Sequence, residues 1–166
     1  LVNNADLRLF KRGEDVFRAG DLCDHFYVLR TGTVKLYREI ACGKQIIFGF
    51  EGPGAMFGET ALIGADRRRD NAQIAEDAFI CVIERDRFSG YLEQHPDLSG
   101  WVTSVIARRK DAIEDRMIAL LSKDVRTRLA HALVRLADDC GELDDRGLRI
   151  GLRLTQTDLG QLVGST

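Results

Sequence analysis

The sequence predicts an α+β protein in which a small β roll is followed by one long helix and then by the beginning of a second, helical domain. Three observations carry this. From Gly13 to about Cys81 short apolar runs are punctuated by Gly13, Gly20, Gly32, Gly43, Gly54 and Gly64, the rhythm of short strands joined by tight turns. From about Pro96 to Leu121 the apolar residues recur at three-, four- and seven-residue steps, the period of a helix. The chain then closes on LTQTDLGQLVGST, residues 154–166, which carries the signature of a capped helix.

The strands come first. In HFYVLRTGTVKLYRE, residues 25–39, Tyr27 and Leu29 share one face, Val34 and Leu36 share a face further on, and Thr31-Gly32 between them predicts a turn. CGKQIIFGFEGPG repeats the pattern, with turns at Gly43-Lys44 and Pro53-Gly54. After His95-Pro96-Asp97 the period changes. Val102, Ile106, Ile113, Met117 and Leu120 form a stripe interrupted only by Arg109, so one helix should run from Pro96 to Leu121, nearly 40 Å at about 1.5 Å per residue. A stripe of that length overruns a small roll. It packs either on its own β domain or, the favoured reading, on the same helix of a second subunit in coiled-coil fashion.

Lys123-Asp124 breaks the pattern, and VRTRLAHALVRLADDC begins another amphipathic helix through Val125, Leu129, Leu133 and Leu136. DDCGELDDRG reads as a polar connection, and GLRIGLRLT alternates Leu148, Ile150, Leu152 and Leu154 as a strand entering the last helix. There Thr155 and Asp158 reciprocally satisfy the first free amides, Leu159, Leu162 and Val163 give one apolar face, and Gly164 supplies the left-handed exit. Ser165-Thr166 reads as the cap of a further helix. The expected organisation is therefore a β roll at 1–95, a long helix at 96–121 and the start of a second domain at 122–166.

Composition narrows the classes. The 166 residues are 45% hydrophobic and carry a formal charge of −2, enough to bury one good core in a soluble protein, and too balanced to announce a polyanion partner. Cys23, Cys42, Cys81 and Cys140 are widely spread. With no signal-peptide pattern and no apolar run long enough to span a bilayer, reduced cytoplasmic thiols and no membrane partner are expected. No nucleophile elbow, HExxH or P-loop is present, so nothing in the motifs points to an enzyme.

This order of elements, with RGEDVFRAGDLCDHFYVLRTGTVKLY, MFGETALIG and LTQTDLGQLVG, resembles the CRP/FNR family of bacterial transcription regulators over essentially the whole chain. The resemblance implies a cyclic-nucleotide-binding-type roll, a dimerisation helix using Val102, Ile106, Arg109, Ile113, Met117 and Leu120, and a C-terminal winged helix-turn-helix that the sequence leaves inside its motif. It also implies operator DNA, a homodimer and RNA polymerase as partners. In such a motif the second helix reads base edges while the first crosses the backbone. Thr155 and Gln156, at the start of the first, either contact phosphates or simply cap the helix.

What the roll senses is less sharply drawn. In the cyclic-nucleotide binders of the family a Gly-Glu pair offers amides to the cyclic phosphate and a carboxylate to the ribose, and a following arginine neutralises the phosphate. Gly58, Glu59 and Thr60 match, with Arg69 at about the expected distance. Asp70-Asn71 departs from the small hydroxyl residue and alanine of the binders, and Ile113-Glu114 stands where cyclic-AMP binders offer a Thr-Ser pair. A cyclic nucleotide is therefore admitted without being favoured. The oxygen-sensing FNR branch has a cluster ligand where this chain has Cys81, but Cys23, Cys42 and Cys140 lack the close spacing of a cubane site. Cys81 alternates with Ile83 and reads better as a buried thiol. His25, His95 and His131 are haem ligands by residue type only. A cyclic-nucleotide-binding regulatory module without DNA binding, or an Fe–S or haem sensor of the same family, is the alternative class.

Overall fold

The structure, a computed structural model, describes residues 6–145 and 147–165. Two long antiparallel strands, β3 (His25–Glu39) and β6 (Asn71–Glu84), form the frame of the roll. Strands β1 (Asp6–Phe10) and β2 (Asp15–Phe17) pair with β6, and β4 (Gln45–Glu51) and β5 (Met56–Phe57) pair with β3. A 3-10 helix, Glu59–Ile63, follows β5. Beyond the roll come α1 (Arg85–Gln94), α2 (Pro96–Ser122), α3 (Val125–Cys140), the hairpin of β7 (Gly141–Asp144) and β8 (Gly147–Ile150), and α4 (Gln156–Val163).

Strand β3 is covered on both faces. Tyr27, Leu29, Val34 and Leu36 point into the roll, where they meet Phe17, Phe57, Ile74 and Ile80. Phe26 points the other way, onto Met56, Phe88 and Val102, with the Phe26 and Phe88 ring centroids 4.3 Å apart. Full burial of a side chain of this size stabilises by about 2–3 kcal/mol, which ties α1 and the first turns of α2 to the roll. At the far end Tyr37, Ile47 and Phe50 form a third cluster with Leu136 and Leu162, so the roll also packs against α3 and α4.

Several expectations change. Thr31-Gly32 does not turn the chain: β3 runs through it as one 15-residue strand whose register against β6 slips between Leu29 and Val34. Gly32 takes φ +83, and a Cβ there would lie 2.2 Å from the Asp77 carbonyl oxygen, so the glycine makes a bulge rather than a hairpin. The segment from Arg85 to Gln94 is helical although its period is weak, with Phe88 buried as its anchor and Leu92 packed against the same cluster. Helix α3 absorbs Asp138–Cys140, and β7 replaces the expected polar connection. The strand into the last helix stops at Ile150. Leu1 and Thr166, hence the expected cap by Ser165-Thr166, lie outside the described residues. Among the described residues no helix is long and apolar enough to cross a membrane.

Candidate effector pocket and DNA-binding helix

Gly58 is the pivot of the candidate pocket. It adopts φ +72 at the head of the 3-10 helix, and a Cβ there would sit 2.9 Å from Arg68 Nη1 and 3.0 Å from the Tyr27 ring. Only glycine combines that backbone conformation with that proximity. No side chain caps the helix. Thr60 turns its hydroxyl to Cys23 Sγ at 3.4 Å.

The arginine beside this turn is Arg68, and Arg69 is exposed. The chain from Arg67 to Arg68 runs against residues 20–22, with Arg68 N donating to Asp21 O at 2.9 Å and Gly20 N donating to Arg68 O at 2.9 Å. Side chains alternate along an extended segment, so of three consecutive arginines the middle one turns inward. Arg68 is only 4% exposed. Its Nη1 donates to Gly58 O at 2.9 Å and its Nη2 to His25 O. Its guanidinium lies 4.3 Å from the Phe17 ring centroid and 5.5 Å from that of Tyr27. Its buried Nε has no partner. Parity across the Arg67–Arg69 run was the signal that could have singled it out.

Glu59 is engaged from the other side. Arg109, reaching in from α2, donates from Nη1 to Glu59 Oε2 at 2.6 Å and from Nη2 to Glu51. The three side chains are 20–24% exposed. Burial pushes the Glu51 carboxyl above its ordinary range, and Arg109 offsets part of that rise. Burial alone would lower the Arg109 pKa, but Glu51 and Glu59 together raise it. Arg109, the one charge on the apolar stripe, therefore turns toward the roll and ties α2 to Glu51 and Glu59. Glu51 was not legible as a pocket residue.

The other candidates scatter. Asp70 pairs with Arg38, Nη2 to Oδ1 at 2.7 Å, and its charge is met there. Glu114 pairs with Lys110 at 2.8 Å on the surface of α2. Ile113, Met117, Ile106 and Leu120 are 60%, 57%, 37% and 43% exposed, whereas Val102 is 7% exposed and packs into its own roll. Cys81 is buried in β6 opposite Leu7 and Val28. Among the described residues no three His, Cys, Asp or Glu side chains gather as a metal site. On α4 the capping box is formed: Asp158 N donates to Thr155 Oγ1 at 3.0 Å and Thr155 N to Asp158 Oδ2 at 2.9 Å. The Thr155 hydroxyl also donates to Asp158 Oδ2 at 2.7 Å, and Gln156 is exposed at the helix start.

A β roll with a glycine-headed 3-10 turn, a long helix packed along it and a capped helix beneath are the architecture of a regulator with a cyclic-nucleotide-binding-type domain. The match of residues 7–95 to the cyclic nucleotide-binding domain family agrees. The chain is 30% identical over 157 residues to the CRP-like cAMP-activated global transcriptional regulator of Mycobacterium tuberculosis, covering 95% of this chain and 70% of that one. It is 25% identical over 156 residues to the fumarate and nitrate reduction regulatory protein of Vibrio cholerae, covering 94% and 62%. The c-di-GMP responsive global regulator CLP of Xanthomonas campestris shares the fold, with a TM-score of 0.79 at 22% identity over 98% of this chain and 81% of that one. The chain belongs to the CRP/FNR family of DNA-binding transcription regulators.

Proposed function

We propose that the roll, residues 1–95, senses a small phosphate-bearing effector, that residues 96–121 pair two protomers and that residues 122–166 belong to the DNA-binding domain. The observation that carries the effector reading is Arg68. A guanidinium with an orphaned Nε is buried beside the uncapped Gly58 turn, where an anion would satisfy the donor and gain the free amides of a helix start. Arg68 holds the phosphate in this reading, and Glu59, released from Arg109, accepts from a hydroxyl. A contact to RNA polymerase, implied by the family, belongs to the same proposal, and no catalytic role is assigned.

The similar proteins are named for cyclic AMP, for c-di-GMP and for fumarate and nitrate reduction, so the fold by itself does not select the effector. The phosphate half of the pocket suits a cyclic nucleotide. The base half departs, since Ile113 offers no hydrogen bond and Glu114 is a carboxylate held by Lys110. Calorimetric titration with cyclic AMP and cyclic GMP tests both halves. Weak binding is expected, with a dissociation constant on the order of 100 µM, about −5.5 kcal/mol. Arg68→Ala should abolish it and Arg69→Ala should leave it. Micromolar or tighter binding of cyclic AMP would overturn the reading of the base half. Loss in Arg69→Ala alone would overturn the assignment of the phosphate to Arg68.

A further inference from the structure

Helix α2 carries two arginines that reach back into the roll. Arg109 and Arg116 are seven positions apart, two turns, on one face and about 10 Å apart along the axis. Arg109 takes Glu51, the last residue of β4, together with Glu59. Arg116 takes the middle of the same strand: its Nη1 donates to Ile47 O at 2.6 Å and to Phe48 O at 3.2 Å. The Nη2 of Arg116 donates to Leu162 O, in the last turn of α4. One guanidinium thus joins the sensory strand to the first helix of the DNA-binding motif.

The surroundings single this contact out. The acceptors of Arg116 are all main-chain carbonyls, and among the described residues no carboxylate pairs with it. Burial lowers its pKa, and the nearby Arg135 adds to that. What balances the cation is the negative end of α4, whose final carbonyls have no partner within the helix. Arg128 from α3 supports the same turn, Nε to Val163 O at 3.0 Å. Around the junction Ile47 and Phe50 of β4 pack on Leu162 and Leu136. Cys140 Sγ donates to Phe50 O at 3.4 Å, and a Cβ on Gly52 would lie 1.8 Å from Asp139 O. Strand β4 therefore supplies Glu51 to the pocket triad at its end and packs against α4 along its length.

We propose that Arg116 is a latch holding α4 against β4, and that the latch is set by the Arg109–Glu59 pair on the same helix face. While Glu59 fixes Arg109, α2 is kept in register along β4 and Arg116 reaches both Ile47 and Leu162. When Glu59 is drawn away, only Glu51 retains Arg109, α2 is free to shift along β4, and the bridge to α4 opens. Arg116 acts as a positioning residue. The idea goes beyond the effector reading and needs no ligand for its test, since a substitution at Glu59 removes the charge that a ligand would engage.

Amide hydrogen exchange on the native protein tests it, read at Leu159–Val163, the hydrogen-bonded stretch of α4, with the β3–β6 amides as the control for folding. Arg116→Met should speed α4 exchange about tenfold, which corresponds to about 1.4 kcal/mol, and leave β3–β6 protection in place. Arg116→Lys keeps the charge and the stem but cannot span acceptors on two elements, so it should loosen α4 as well; it decides the matter if the methionine variant does not fold. Glu59→Gln should speed α4 exchange severalfold in the native background and add nothing in the Arg116 variant. Unchanged α4 exchange in the Arg116 variants would overturn the latch. An equal effect of Glu59→Gln in both backgrounds would overturn its control by Glu59.

Discussion

Replacing Arg109 by methionine removes the one cation between Glu51 and Glu59 and leaves two partly buried carboxylates facing each other. Breaking a fully buried pair in this way costs about 3–5 kcal/mol. Here the side chains are 20–24% exposed, so solvent screens part of the penalty, and about 2 kcal/mol at neutral pH is expected. The pH dependence identifies the cause. Burial already raises the Glu51 pKa, with Arg109 restraining it, so the variant should raise it further. A carboxyl whose folded pKa lies above its unfolded value binds more protons in the native state, and stability falls as pH rises through the interval between the two. That interval begins near the unfolded value of about 4.3 and widens upward in the variant. The deficit against native protein should therefore be small at pH 5 and largest above pH 7. Urea unfolding at pH 5.0 and 7.5, at one fixed protomer concentration because association contributes to stability, gives both numbers. An equal deficit at the two pH values would refute the electrostatic argument and assign the loss to packing of the Arg109 stem.

If two α2 helices pair, Ile113→Arg places a cation in an apolar seam and should weaken association by a few kcal/mol; sedimentation of the variant as an unchanged dimer at micromolar concentration would remove that interface. Thiol labelling should proceed in two classes in native protein: exposed Cys42 at once, and Cys23, Cys81 and Cys140 only on unfolding, since the first two are buried and burial pushes the Cys140 thiol up to about 12. Rapid native labelling of Cys81 would refute its reading as an inert core thiol.

Long-range placement separates what the sequence discloses from what it conceals. The stripe from Pro96, the Thr155 capping box and the Gly164 exit depend on neighbours within one or two turns, and the structure shows the corresponding helix and caps. Thr31-Gly32 misled because a glycine at positive φ serves a turn and a bulge equally well, and only the approach of Asp77, which belongs to a distant strand, decides between them. At the pocket, Gly58 and Glu59 were legible as a pair in sequence. The choice of Arg68 over Arg69 depends on which strand lies beside residues 67–68, and the partnership of Glu51 with Arg109 on β4 meeting α2. Neither is encoded locally.

The frame of β3 and β6 has a consequence for the order in which the molecule is built. These strands pair Tyr37 with Asn71 at one end and His25 with Glu84 at the other, so everything between residues 37 and 71 is a loop that their pairing closes. That loop contains β4, the Gly58 turn, Glu59 and Arg68. Closing it costs chain entropy that grows only slowly with its length, but the distant pairing makes the frame slow to assemble. The candidate pocket residues thus take their places on a scaffold that is completed around them and not through them. None of Gly58, Glu59 and Arg68 belongs to the β3–β6 ladder, so the pairing of the two long strands does not depend on their side chains.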